Sequence, residues 1–417
     1  MNAVHNNSNP TQPCRLPAGG RIDRATRLHF TFNGKRYVGH AGDTLASALL
    51  ANGVHVVARS WKYHRPRGIV ASGVEEPNAV VQLETGASTV PNARATEVML
   101  YDGLVASSVN AWPSVDLDLM AVAGFFARIM PAGFYYKTFM WPKSFWRRYE
   151  HYIRKGAGLG TAPAEPDPDR YDKMNAHCDV LVVGGGPAGL AAALTAGNAG
   201  ARVIVADEQN EFGGSLLSQR DIAAVTADPA SDGSIGGASP MAWVTRAVAR
   251  LAAMPEVRLL PRSTVFGYHD HNFLTIAERL TDHLPPAERE GPRERVWRVR
   301  AKEVVLATGA QERPLVFANN DRPGVMLASA VSAFMNRYGV QPGTRAVVFT
   351  NNDSAYRTAL RLVTAGIEVA AVVDSRRAAH GNDVPVVRFV SAFECARQRG
   401  FCPSSAWHRQ TAALSHH

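Results

Sequence analysis

The chain has 417 residues, room for two or three domains, and 46% of them are apolar, an ordinary share for a globular protein. Its net charge of +9 is spread along the sequence with no dense Lys/Arg block, which argues against nucleic-acid binding and leaves anionic small ligands or an acidic partner subunit. Cys14, Cys178, Cys395 and Cys402 form no CxxC pair, so neither a disulfide framework nor a zinc site is expected.

Residues 1–26 are polar, rich in Asn, Pro and Gly, and read as a disordered tail. They lack the basic-then-apolar layout of a signal peptide. A small β-rich domain is expected over 27–110. Leu28-His-Phe-Thr-Phe32 alternates, Asn33-Gly34 is a hairpin turn, and Arg36-Tyr-Val38 resumes a strand. Asp43-Thr44 caps a helix that runs to Ala51 and stops at Asn52-Gly53. Short strands follow at Ala79–Glu84 and Glu97–Tyr101, an order that suggests a ferredoxin-like β-grasp unit.

Residues 111–175 read as a connector with aromatic clusters and a proline-rich hinge from Pro163 to Pro168. Its most apolar stretch, Leu119 to Tyr136, is interrupted by Arg128 and Pro131 and is too broken to span a bilayer easily. A cytoplasmic setting is expected.

A nucleotide-binding domain is expected over 176–376. Val180–Val183 is a strand, Gly184, Gly186 and Gly189 fall at GxGxxG spacing, an Ala-rich helix follows, and Val203–Ala206 is a second strand ending at Asp207-Glu208. The three glycines serve different ends. Gly184 allows a tight turn, Gly186 lets the backbone approach a pyrophosphate, and Gly189 lets the helix pack closely. The pyrophosphate would sit at the positive end of the helix dipole, with Asp207 about where an acid meets a ribose hydroxyl. Beyond it come a helix from Pro240 to Met254, strands near Arg258–Leu260 and Trp297–Lys302, and Glu303-Val-Val-Leu-Ala-Thr-Gly309, a buried strand entering a turn. Near 343–376 the β-α-β pattern repeats, with Thr350-Asn-Asn-Asp-Ser-Ala355 in place of the glycines. Side chains there would crowd a pyrophosphate, so only one competent dinucleotide site is expected. The fold class is therefore α/β, two Rossmann-like units preceded by a β-grasp, ferredoxin-like domain.

The GxGxxG turn, with Ala307-Thr-Gly-Ala310 and Arg313-Pro314, resembles the two-dinucleotide-binding-domain flavoproteins. Ser60-Trp-Lys-Tyr-His-Arg-Pro-Arg-Gly68, Pro131-Ala-Gly-Phe-Tyr-Tyr-Lys-Thr-Phe-Met-Trp-Pro142, Gly156-Ala-Gly-Leu-Gly160 and Asp207-Glu-Gln-Asn-Glu-Phe-Gly-Gly214 resemble the alpha subunits of heterotetrameric sarcosine oxidases. The resemblance implies an oxidoreductase subunit in a complex with beta, gamma and delta subunits. That complex demethylates sarcosine oxidatively to glycine, with hydrogen peroxide and, with tetrahydrofolate, methylene-tetrahydrofolate. It implies NAD on this chain where relatives hold FAD, and an FMN shared at the alpha–beta interface. Carried over by motif, Gly184, Gly186, Ala188 and Gly189 would contact pyrophosphate, and Asp207 and Glu208 the adenosine ribose, with Gln209 and Ser215 nearby. Val265 would pack near adenine, and Ala307, Thr308 and Gly309 would close over the nucleotide.

Two departures qualify the resemblance. No cysteine lies between Cys14 and Cys178, so an iron–sulfur cluster is not expected in the β-grasp domain. The family's folate-binding C-terminal half has no counterpart, and 377–417 reads as an atypical, frame-shifted tail. A related amine or opine dehydrogenase subunit, or a truncated nucleotide-binding chain without activity, remain alternatives. Catalytic residues are not identifiable. His64 among Arg59, Lys62, Arg65 and Arg67 suits either a flavin phosphate or a solvated basic loop at a subunit contact. His269 and His271 read as surface residues, not metal ligands.

Overall fold

A computed structural model describes residues 12–61, 63–122, 141–156, 159–219, 235–376 and 389–391. The aromatic strings between 123 and 140, and the expected atypical tail apart from Phe389–Ser391, lie outside them. The chain divides into two compact units, one of residues 1–167 with 312–417 and one of 168–311.

The first unit opens with β1 (Asp23–Phe32) and β2 (Lys35–Ala41), an antiparallel hairpin. The alternation of β1 turns Phe30 and Phe32 inward, each 2% exposed. Asn33 and Gly34 adopt positive φ at the turn, as an Asn-Gly hairpin requires. The helix Leu45–Ala51 is buried along its whole length. Thr44 and Ser47 close its N-terminus as a reciprocal capping box, each side chain accepting the other's backbone N–H, an arrangement worth about 1 kcal/mol. After the short pair β3 (Ala58–Arg59) and β4 (Pro66–Arg67) come β5 (Val80–Leu83), β6 (Val90–Arg94) and β7 (Leu104–Ser108). The sheet order is β2-β1-β7-β5-β6, with β7 parallel to β1.

Three expectations for this unit need correction. Residues 12–26 are not a free tail: Gln12 and Arg15 are buried, and Arg15 donates to both carboxylate oxygens of Asp43 (3.1 and 2.6 Å) and to the Tyr338 carbonyl (2.7 Å). Long-range charge pairing orders this polar segment, and composition is blind to such pairing. Removing one member of so buried a pair typically costs roughly 3–5 kcal/mol. Glu97–Tyr101 is not a strand; only the isolated bridge between Thr44 and Met99 forms there, and β6 and β7 take the edge and central positions instead.

The second unit carries β8 (Tyr171–Val183), β9 (Val203–Ala206), β10 (Val257–Leu260), β11 (Ser263–His269), β12 (Phe273–Arg279) and β13 (Glu294–Leu306). They form one sheet in the order β10-β9-β8-β13-β12-β11. β8 and β13 run parallel from Glu294–Tyr171 to Leu306–Val183. Alternate residues serve two cores. Val182, Val203 and Val205 face the helices Pro187–Asn198 and Pro240–Ala252, while Leu181, Val183, Ile204 and Ala206 join Leu274, Ile276 and Trp297. Burial on both sides explains why β9 reads as an unbroken apolar run. The β11–β12 hairpin has no clear sequence pattern.

The third correction concerns the partition. β14 (Arg345–Thr350), β15 (Glu368–Asp374) and β16 (Phe389–Ser391) form a parallel three-stranded sheet in the first unit, not an extension of the nucleotide domain. The physical reason is a shared core. Leu327, Ala330, Phe334, Tyr338 and Val340, in and around the helix Ala328–Asn336, pack with Phe30, Leu45 and Leu49 of the β-grasp part.

Candidate dinucleotide site

The glycine turn between β8 and the helix Pro187–Asn198 is built by contacts that no side chain would tolerate. Gly184 has φ +100°, and a Cβ there would stand 2.3 Å from the Ala307 carbonyl oxygen. A Cβ on Gly189 would lie 1.8 Å from the Gly184 carbonyl oxygen, so the helix can pack against the turn only without one. Gly186 differs. Its φ of −73° suits any residue, and the nearest atom to a Cβ would be the Gly214 Cα at 3.9 Å. Local packing does not demand glycine at 186. Gly186 is also the N-cap and offers no side chain to the helix's first amides, while Pro187 needs no partner for its nitrogen. An open, uncapped helix N-terminus is a ready anion site.

Asp207 directly follows β9 and is 8% exposed. Its Oδ2 accepts the Gly185 N–H at 2.6 Å and its Oδ1 the Gln209 N–H at 2.8 Å, so the acid is bolted to the glycine turn. The Asp207 carbonyl accepts the Ser263 N–H (2.6 Å), and the Gln209 carbonyl the Arg262 N–H (2.8 Å), which brings the start of β11 to the same end of the sheet. Val265 lies on β11, partly buried against the core that holds Leu274 and Trp297. Ala307 donates to the Val183 carbonyl at 2.8 Å and stands against Gly184. Thr308 and Gly309 follow it, exposed, as do Ala188 at the helix start and Ser215 in the short 3-10 turn Gly214–Ser218.

Sequence reasoning missed three contributors. Gly185 is as constrained as Gly184 and Gly189, since a Cβ would meet the Phe212 ring at 2.2 Å. Gly214, at φ +52°, lies against Gly186, and its place in the Gly213-Gly214 pair was a visible signal. Arg279 donates to the Glu208 carbonyl at 2.9 Å from β12, a contact with no local signature. Cys178, at the middle of β8, is buried, and burial, with Asp179 adjacent, pushes its thiol up to about 11.

The His64 loop is not the solvated basic loop that was one of its two readings. His64 is 6% exposed, and its Nδ1 lies 2.8 Å from an oxygen of buried Asp118. Arg59 donates to the carbonyls of His64 and Val115, and Arg65 and Arg67 both pair with Asp321. These cations are engaged within the chain. Lys62 lies outside the described residues. His269 and His271 flank the exposed β11–β12 turn, and the described residues contain no cluster fit to hold a metal ion.

Fold and site together define a class: a ferredoxin-type domain followed by a pyridine nucleotide-type oxidoreductase domain. A family model described as a 2Fe-2S iron-sulfur cluster binding domain matches residues 25–111, and one described as pyridine nucleotide-disulphide oxidoreductase matches residues 178–348. The first match is to a fold whose ligands this chain lacks, since the matched segment has no cysteine to hold iron.

Over 88% of its length the chain is similar to the sarcosine oxidase alpha subunit of Rhizobium meliloti (strain 1021), 51% identical over 366 residues and covering 36% of that protein. The alpha subunit of Corynebacterium sp. (strain P-1) is 41% identical over 87% of the chain and 32% of its own length. The chain thus spans about a third of these relatives, their N-terminal part. Among solved structures, L-proline dehydrogenase from P. horikoshii shares the fold, with a TM-score of 0.55 over 88% of this chain and 57% of that one at 19% identity. No helix among the described residues is long and apolar enough to cross a membrane.

Proposed function

We propose that this chain is the nucleotide-holding alpha-type subunit of a cytoplasmic sarcosine oxidase-type complex, with NAD in the turn of residues 184–189. The observation that carries the reading is Gly186. It is a glycine that neither backbone conformation nor packing requires, at an uncapped helix N-terminus. The amides of Ala188 and Gly189 would receive the pyrophosphate, and the Asp207-Glu208 corner the adenosine ribose. Gln209, Ser215 and Val265 would line the adenosine end, and Ala307–Gly309 the opposite side. When bound, NAD supplies a nicotinamide ring able to accept a hydride.

In this reading amine oxidation belongs to a beta subunit, an FMN is shared at the alpha–beta interface, and gamma and delta subunits and tetrahydrofolate enter at the level of the complex. The similarity to sarcosine oxidase alpha subunits supports it. The chain alone does not oxidise sarcosine. Purifying it, releasing its nucleotide by heat and identifying it by mass tests the cofactor. NAD without FAD is expected; FAD at about one per chain would make this an ordinary flavoprotein and overturn the reading.

A further inference from the structure

The ferredoxin-type domain keeps a cluster-sized loop but fills it with its own anion. Ala71, Glu76 and Ala79 stand at the C-x4-C-x2-C interval by which plant-type ferredoxins hold a 2Fe–2S cluster, and none is a cysteine. All three are buried, Glu76 to 1% exposure. Glu76 Oε2 accepts the N–H groups of Val70 (2.8 Å) and Ala71 (2.6 Å), and Oε1 those of Asn78 (2.7 Å) and Ala79 (2.9 Å). One carboxylate thus gathers amides from both arms of the loop. Thr96 closes the far side: its hydroxyl donates to the Gly73 carbonyl at 2.8 Å, while Ala95 N–H donates to the Ala79 carbonyl at 2.9 Å.

In a ferredoxin the loop is held by thiolates on iron, and amides point at the anionic cluster's sulfurs. Without the cluster, inward amides would be buried and unsatisfied, a cost of about 1–3 kcal/mol each. Glu76 meets that need with four charge-assisted hydrogen bonds. A buried carboxylate is tolerable for the same reason, because every one of these donors compensates its lost hydration.

We propose that residues 69–79 with Thr96 form a cluster cradle in which the Glu76 carboxylate serves as the fixed anion in place of an iron–sulfur cluster, and that the cradle binds a small carboxylate when this side chain is removed. The inference is independent of which nucleotide the other unit holds.

The full chain carrying Glu76→Ala should unfold roughly 10 °C lower than the native protein. Formate at tens of millimolar should restore most of that loss and leave the native protein unmoved. Glu76→Gln should show a loss that formate does not restore, since its amide keeps the cavity filled and satisfies only part of the donors. A Glu76→Ala protein as stable as the native one, or indifferent to formate, overturns the proposal. If Glu76→Ala does not fold, the quadruple change Ala71→Cys, Glu76→Cys, Ala79→Cys and Thr96→Cys decides. Refolded with ferric iron and sulfide, it should hold about two irons per chain; a refolded chain that holds none overturns the cradle.

Discussion

The two β-α-β units of this chain share an order of elements and differ in what occupies the turn. In the first, β8, a helix and β9 are joined by glycines, the helix N-terminus has no side-chain cap, and Asp207 reaches back to the Gly185 amide. In the second, β14, a helix (Ser354–Thr364) and β15 are joined by Thr350-Asn-Asn-Asp353. There the Thr350 hydroxyl donates to the Asn352 carbonyl, and Asn352 Oδ1 accepts the Ser354 N–H at 3.0 Å. The Thr350 hydroxyl also accepts the Asn352 N–H at 3.1 Å, so side-chain oxygens meet two amides of this turn. Asp374, the counterpart of Asp207, accepts from the Tyr356 hydroxyl (2.7 Å) and from the Arg376 guanidinium, which also pairs with Asp353. Neither N-cap residue caps its helix with a side chain, but the second turn is bridged by Thr350 and Asn352 where the first has only glycine backbone. In the proposed function, nucleotide binding therefore resides in the turn, not in the fold.

The comparison can be broken from either side. Gly189→Val should have the largest effect, because its side chain would drive into the Gly184 carbonyl. A loss of several kcal/mol in stability is expected, together with all bound nucleotide, measured by denaturant unfolding and by the absorbance ratio of the purified protein. Arg376→Ala should cost about 1–2 kcal/mol, since it leaves buried Asp374 with the Tyr356 hydroxyl but without its cation. Calorimetry reads that loss, and the variant should gain no nucleotide; a second molecule per chain would show that Arg376 alone had kept the second site shut.

The smallest effect lies in alkali. Burial, and then the Asp374 carboxylate, push the Tyr356 hydroxyl up to about 12. Its folded value exceeds the ordinary tyrosine value, so its contribution is fully present below about pH 10 and is lost as pH rises towards 12. Tyr356→Phe should flatten stability against pH in that window only, and tyrosinate absorbance should show one fewer late-titrating group.

Much of this was legible in the sequence, and for identifiable reasons. The glycine motif is local, and each residue answers to a backbone constraint within a few positions, so Gly184, Gly189 and Asp207 fall where their spacing put them. The loss of glycines in the second unit was equally visible. What escaped depends on contacts far along the chain. Arg15 is ordered by Asp43 and Tyr338, Arg65 and Arg67 by Asp321, and the second unit joins the β-grasp part through Phe334 and Leu327. No periodicity announces such pairs. Glu76 carries no signal in the sequence, because a lone acid in a loop is distinguished only by its four amide donors.

In the proposed function the turn at Gly186 holds one dinucleotide, and no second glycine turn of this kind stands among the described residues. Counting nucleotide per chain in the native protein and in Gly186→Val tests it most directly. The new side chain starts from a Cβ whose nearest protein atom is 3.9 Å away, so the fold should survive with a melting temperature close to native. About one NAD per native chain and none in the variant are expected; a folded variant that still carries its nucleotide would place the dinucleotide elsewhere.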